Sequence, residues 1–263
     1  MLATATVNYH IHAPTRQAYH IDAGGVVGQL ISPPHVVTDV PLNDTRNGTD
    51  VSFEADGLTF LNAPSHVTDF SPDRAWTEAY DRDISALLHR QLGAQEVIVF
   101  DHTIRIDDPD APRKPARNVH ADYSPQGAQQ RLVDILGKDT AAEWAKGHYA
   151  FINLWRPVEN PINTAPLGFV RPSSVAEEDW ILIDLIYPDR KGHIMGLVAN
   201  ANHEWIYRSR MTPDEVAVFN IYDNRGKPSI AHSALDRVED PAISVPRKSI
   251  ESRTLVRFST DNE

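Results

Sequence analysis

Apolar residues spaced by four, and others alternating by two, separate one well-marked helix from a long succession of strands. Trp76, Tyr80, Ile84, Leu88 and Leu92 recur every four residues, with Leu87 beside them and Gly93 just after. That stripe predicts an amphipathic helix opening at Asp73 and closed by a glycine cap. Residues 96–100 are nearly continuous in apolar side chains, the mark of a strand buried on both faces. Ser124-Pro125 ahead of Ala128, Leu132, Ile135, Leu136 and Gly137 predicts a second helix, and the Thr140/Glu143 spacing a capping box for a third.

The rest reads as strand and turn. Strand character marks residues 4–12, 118–123, 149–158, 181–186, 194–199, 204–207, 216–222 and 253–258. Asp56-Gly57 between residues 51–53 and 58–61 predicts a hairpin, and Thr212-Pro213-Asp214-Glu215 predicts one or two helical turns before the strand at 216. Residues 13–50 are rich in turn formers. Short strands with a single helical excursion suit a jelly-roll sandwich or barrel better than βαβ units. The expected fold is mainly β with flanking helices in one domain, 1–263. Residues 1–72 supply N-terminal strands and a hairpin over the site, and 73–263 the main body.

Composition narrows the chemistry. With no cysteine, disulfides and thiolate metal sites are out, leaving histidine and carboxylate as ligands. A formal net charge of −11 argues against nucleic acid, whose phosphates it would repel. No apolar run is long enough to span a bilayer and no secretory leader is evident, so a soluble cytoplasmic protein is expected.

Within the 118–123 strand, His120 and Asp122 fall on one face, about 7 Å apart along the chain. A third ligand, from His232 or from His203, would complete a two-histidine, one-carboxylate set of the kind that leaves open positions on iron. His-x-Asp alone is weak, since a surface strand with two polar residues has the same spelling. His10 and His12 form a second pair read as structural or exposed, and His102 is read as a satisfied core histidine or one close behind the site.

Five stretches then carry a resemblance: Val99-Phe100-Asp101-His102-Thr103, Val119-His120-Ala121-Asp122-Tyr123-Ser124-Pro125, Ile152-Asn153-Leu154-Trp155-Arg156-Pro157, Asp184-Leu185-Ile186-Tyr187-Pro188-Asp189-Arg190 and Met211-Thr212-Pro213-Asp214-Glu215. In this order they resemble the fungal and bacterial oxygenases that include gibberellin desaturase and a cephalosporin 7-alpha-methoxylase component. The resemblance runs from about residue 6 to residue 258. It implies a double-stranded β-helix of cupin-like form, with Fe(II) bound by His120, Asp122 and His232, and 2-oxoglutarate and O2 as cosubstrates. It further implies a basic residue on the last strand for the distal carboxylate of 2-oxoglutarate. Arg253 matches best, although it lies farther beyond His232 than is usual; Arg257 is its rival and Arg156 a weaker one. Asn153 and Tyr207 are expected to line the cosubstrate pocket, and Tyr123 and Phe60 to touch a small natural-product or amino-acid-derived substrate. Oxidation of an unactivated C–H bond, by hydroxylation, desaturation or cyclisation, is the implied activity. A zinc hydrolase on the same triad and a non-catalytic jelly-roll binding module are the alternatives.

Overall fold

The computed structural model describes residues 3–259. In chain order the strands are β1 (Ala3–His10), β2 (Ala18–Ile21), β3 (Leu30–Ile31), β4 (His35–Asp44), β5 (Leu58–Asn62), β6 (Ala94–Ile106), β7 (His120–Ala121) and β8 (His148–Pro157). There follow β9 (Leu167–Val170), β10 (Trp180–Ile186), β11 (Lys191–Leu197), β12 (Trp205–Tyr207), β13 (Glu215–Asp223), β14 (His232–Ala234) and β15 (Lys248–Phe258). The helices are α1 (Phe53–Asp56), α2 (Thr77–Leu92), α3 (Pro125–Leu136) and α4 (Lys138–Trp144). A 10-stranded sheet runs β1-β4-β12-β9-β14-β7-β11-β10-β2-β3, and a 5-stranded sheet β5-β13-β8-β15-β6. The two sheets curl over one another as a double-stranded β-helix, with Phe169 of β9 meeting Phe219 of β13 edge-on at 5.0 Å.

Strand β8 explains how the smaller sheet serves two cores. Tyr149, Phe151 and Trp155 point between the sheets and pack with Phe169, Phe219 and Leu255. Ala150, Ile152 and Leu154 point the other way and meet the α2 stripe of Tyr80, Ile84, Leu87 and Leu88. Each such buried aliphatic side chain is worth roughly 1.5–3 kcal/mol, more than helix propensity alone supplies to a helix of this length. Docking on the sheet therefore holds α2. Helices α3 and α4 close one end of the barrel through Ala128, Leu132, Ala141 and Trp144.

Several boundaries differ from the sequence reading, each for a local reason. Helix α2 opens at Thr77, because Arg74 is left-handed (φ 60°) and Asp73 accepts from Ala75 N in a turn. The expected hairpin at Asp56-Gly57 is instead the end of α1: Ser52 caps its start, Gly57 its end (φ 65°), and β5 pairs with β13. Glu143 belongs to α4, whose N-cap is Gly137 rather than Thr140. The 212–215 segment makes a turn and no helix. The Glu215 carboxylate does accept from Thr212 N at 3.0 Å, but it also binds Arg46 and Arg208 and opens β13.

Two irregularities lie beside the future site. In the β6–β15 ladder Arg253 faces Asp101 while Thr254 faces Val99, so Phe100 is an extra residue that bulges β6. In the larger sheet Gly196 stands opposite His120, and a Cβ there would lie 2.6 Å from the His10 ring. The ring of a residue from β1 thus fills the space a side chain on β11 would occupy.

Candidate active site

Strands β7 and β14 are only two and three residues long, yet they lie side by side with His120 directly opposite His232. Opposed residues of an antiparallel pair share a face, so both imidazoles enter the barrel, with centroids 4.6 Å apart. Asp122, in the bend just after β7, joins them: its Oδ1 is 3.6 Å from His120 Nε2 and 4.0 Å from His232 Nε2. The three donor atoms lie within 4.8 Å of one another.

The histidine tautomers follow from the backbone. His120 Nδ1 is 2.8 Å from Asn118 O and His232 Nδ1 3.3 Å from Ile230 O. A carbonyl only accepts, so each Nδ1 carries the proton and each Nε2 turns a lone pair towards Oδ1. Burial, then repulsion from His232, lowers the His120 pKa to about 4, which keeps the ring neutral at physiological pH. Burial alone would raise the Asp122 pKa, but Arg253, His232, His120 and an Asn153 hydrogen bond hold it well below the usual carboxylate range. Two imidazoles that each turn Nε2 inward and one anionic oxygen, buried and convergent, suit a divalent cation.

Around the triad is a cavity lined in part by Arg105, Arg247, Glu251 and Arg253. The three guanidinium groups are not equivalent. Arg253 gives Nε to Asp122 (3.1 Å), Nη1 to Asp101 (2.7 Å) and Nη2 to Glu251. Arg247, buried, meets only neutral groups among the described residues: Ser249 Oγ at 3.1 Å, the Ala165 carbonyl and the Trp155 ring face. Burial and then the neighbouring Arg105 charge bring its pKa down to about 9, still cationic near neutrality. Arg105 reaches the Lys114 carbonyl at 2.9 Å.

The remaining sequence-predicted residues divide between site and scaffold. Asn153 is in the site, donating to Asp122 Oδ2 at 2.8 Å and Glu251 at 3.3 Å. Tyr123 packs on Phe151, its pKa raised to about 12 by burial and then by Asp122. Phe60 packs edge-on against Phe169, whose ring lies 6.4 Å from His232. Arg156 is on the opposite face of β8, over Tyr80 and bonded to the Pro213 carbonyl, so it does not reach the cavity. Tyr207 packs in the outer core with Trp205 and Leu42, away from the triad. Arg257 pairs with Glu96 and covers Trp144, near the end of β15. His203 bonds Tyr9 and Asp179, and His102 bonds Ser252 and Asp81 beneath α2; both rings are satisfied apart from the triad. His10 is buried and His12 exposed, so that pair is split.

Arg105, Arg247, Glu251 and Asp101 escaped the sequence reading. The signal for Arg247 was its position at the head of the last strand, much nearer His232 than Arg253 is. A strand drawn from residue 253 hid it, because β15 already begins at Lys248.

Comparison with known proteins gives consistent matches. A family model described as "Oxidoreductase/YMDC permease-like domain" matches residues 8–257. The hydroxylase/desaturase efuI of Hormonema carpetanum is 31% identical over 255 residues, 85% of this chain and 84% of that protein. The alpha-ketoglutarate-dependent dioxygenase phiK of a fungal species is 29% identical over 238 residues, 83% of each chain. Among solved structures, the iron and alpha-ketoglutarate-dependent endoperoxidase NvfI superposes with a TM-score of 0.83 over 98% of both chains at 24% identity, a likeness of fold.

Proposed function

The chain belongs to the oxidoreductase/YMDC permease-like domain family and is an Fe(II)- and 2-oxoglutarate-dependent dioxygenase, and from that premise we propose that His120, Asp122 and His232 hold its iron. The observation that carries the assignment is the convergence of two Nε2 lone pairs and Asp122 Oδ1, with each Nδ1 proton given to a backbone carbonyl. When bound, the iron and its cosubstrates supply the oxidising chemistry, in which 2-oxoglutarate and O2 are consumed as a substrate C–H bond is attacked.

Arg247 is the residue that receives the distal carboxylate of 2-oxoglutarate. A buried guanidinium with neutral partners calls for an anion, and its planar fork meets a carboxylate with two hydrogen bonds. Arg253, the sequence-based choice, already has a carboxylate at each of its three nitrogens. Charge balance supports the same reading. Arg105, Arg247 and Arg253 offset Asp101, Asp122 and Glu251, so a doubly positive metal and a doubly negative cosubstrate enter a near-neutral site together. Neutral His120 needs no deprotonation before it ligates.

The substrate is a small, largely apolar natural product or amino-acid derivative. Phe60, Phe169 and Tyr123 supply aromatic faces near the triad, while Arg253 is engaged by Asp101, Asp122 and Glu251 and Arg247 is taken up by the cosubstrate. Hydroxylation, desaturation and ring closure share this first attack and differ in how the substrate is held afterwards. The test is succinate formation from 2-oxoglutarate by the Fe(II)-loaded chain, alongside zinc-loaded chain. Turnover only with Fe(II) is expected. Hydrolytic activity with zinc and none with iron would return the zinc-hydrolase alternative.

A further inference from the structure

We infer that Arg253 is a positioning residue for the metal ligand Asp122, fixing which of its two oxygens faces the metal; the inference rests on the iron-site reading above. Asp122 Oδ2 accepts from Arg253 Nε at 3.1 Å and from Asn153 Nδ2 at 2.8 Å. Oδ1 alone is left towards His120 and His232. A carboxylate pinned in this way offers one oxygen, where an unpinned one can turn and offer both. Single-oxygen ligation leaves more of the metal open to cosubstrate and O2.

The pinning group is itself held from several sides. Arg253 lies on β15 between Asn153 of β8 and Asp101 of β6, opposite both in register. Its Nη1 binds Asp101 at 2.7 Å and Thr103 Oγ1 at 3.1 Å, and its Nη2 binds Glu251. The bulge at Phe100 comes directly after this register pair, where the next β15 residue skips to Val99. Asp101 and Glu251 therefore anchor the guanidinium while Nε alone serves Asp122. A cosubstrate clamp would present its free fork to the cavity; Arg253 presents a fork already filled.

The experiment separates positioning from clamping. The full chain and its Arg253→Gln and Arg253→Lys variants are titrated with Mn(II), then with 2-oxoglutarate at saturating Mn(II). Losing a group that orients a metal ligand typically lowers metal affinity about 10- to 100-fold, and that is the fall expected for Arg253→Gln. Arg253→Lys recovers part of it, since the charge returns without the fork. The Co(II)-loaded variants shift their visible bands, a change that looser packing elsewhere would not cause. Cosubstrate affinity of the metal-saturated variants stays close to that of the parent. Unchanged Mn(II) affinity in both variants overturns the inference, as does a fall in cosubstrate affinity alone. If removing Arg253 unfolds the chain, Asp101→Asn decides: it loosens the far anchor at a half-exposed position, and unchanged Mn(II) affinity there is equally fatal. A parent chain that binds no Mn(II) would sink the iron-site reading instead.

Discussion

His120 and His232 face each other across the β7–β14 ladder, and each commits its Nδ1 proton to the carbonyl two residues earlier in its own segment. The ligand atoms are therefore set by backbone, before any metal arrives. His120→Ala, His232→Ala and Asp122→Asn are each expected to abolish stoichiometric Fe(II) binding and turnover while the far-UV circular dichroism stays native. Asp122→Asn is the most telling, because it keeps the shape and removes the charge. Metal analysis after reconstitution checks all three, and full iron occupancy in any one removes that residue from the site.

His203→Ala is expected to behave in the opposite way. Its two ring nitrogens tie Tyr9 to Asp179, so the change removes two buried hydrogen bonds, while Trp205 still reaches Tyr9 and Asn200 still reaches Asp179; a loss of about 1–3 kcal/mol in all is expected. The variant should unfold at lower urea and still take up iron. Loss of iron with unchanged stability would make His203 the ligand and His232 the bystander.

Arg247→Ala should weaken 2-oxoglutarate binding by about 2–5 kcal/mol, or roughly 30- to several thousand-fold, with metal affinity little changed. Arg247→Lys restores the charge and only part of the affinity. Arg156→Ala and Arg257→Ala leave cosubstrate affinity near that of the parent, since one lies across the sheet against Tyr80 and the other on Glu96. Isothermal titration at saturating Mn(II) ranks the four. A strong effect at Arg257 and none at Arg247 would move the carboxylate to the far end of β15.

Acid should destabilise the metal-free chain well above the range where carboxylates titrate. Burial lowers the pKa of His10 to about 3 and of His120 to about 4, against about 6.5 in the unfolded chain. Between those values the unfolded state binds protons that the folded rings refuse, so stability is complete above about 6.5 and falls as pH drops towards 4. Each such ring contributes a slope of about 1.4 kcal/mol per pH unit. Urea midpoints from pH 7.5 to 4.5 measure it, and His10→Leu should flatten the profile. A midpoint that holds constant across that range contradicts the burial of both rings.

How much of this was legible beforehand depended on whether a side chain answered to its own segment or to a distant one. The α2 stripe and the long β8 are local patterns and are found close to where their spelling put them, whereas the strand read over residues 118–123 is regular only at His120–Ala121, with Asp122 in the bend that follows. Strands β7 and β14 are too short to have a period, and closure of the sheet alone makes them neighbours. The Thr212/Glu215 pair uses the same side-chain-to-backbone bond as a helix cap, so spelling cannot distinguish it from the turn it forms. Arg253 was read as the clamp for the cosubstrate, and the carboxylates that occupy it come from β6, the β7 bend and its own strand, a meeting that is a property of register. Arg247 was missed because the boundary of β15 was drawn too late.

The contact between His10 and Gly196 reaches beyond local packing. The wall that carries His120 is sealed by a ring from the tenth residue of the chain, so the first strand is a plug rather than a trailing end. A gene shortened to start after residue 10 should yield protein with an opening behind His120, although the deletion is remote from it in sequence. A bulky tag joined ahead of residue 3 leaves that plug in place. The same reasoning makes Gly196 intolerant of even alanine, because the methyl group and the imidazole would need the same space.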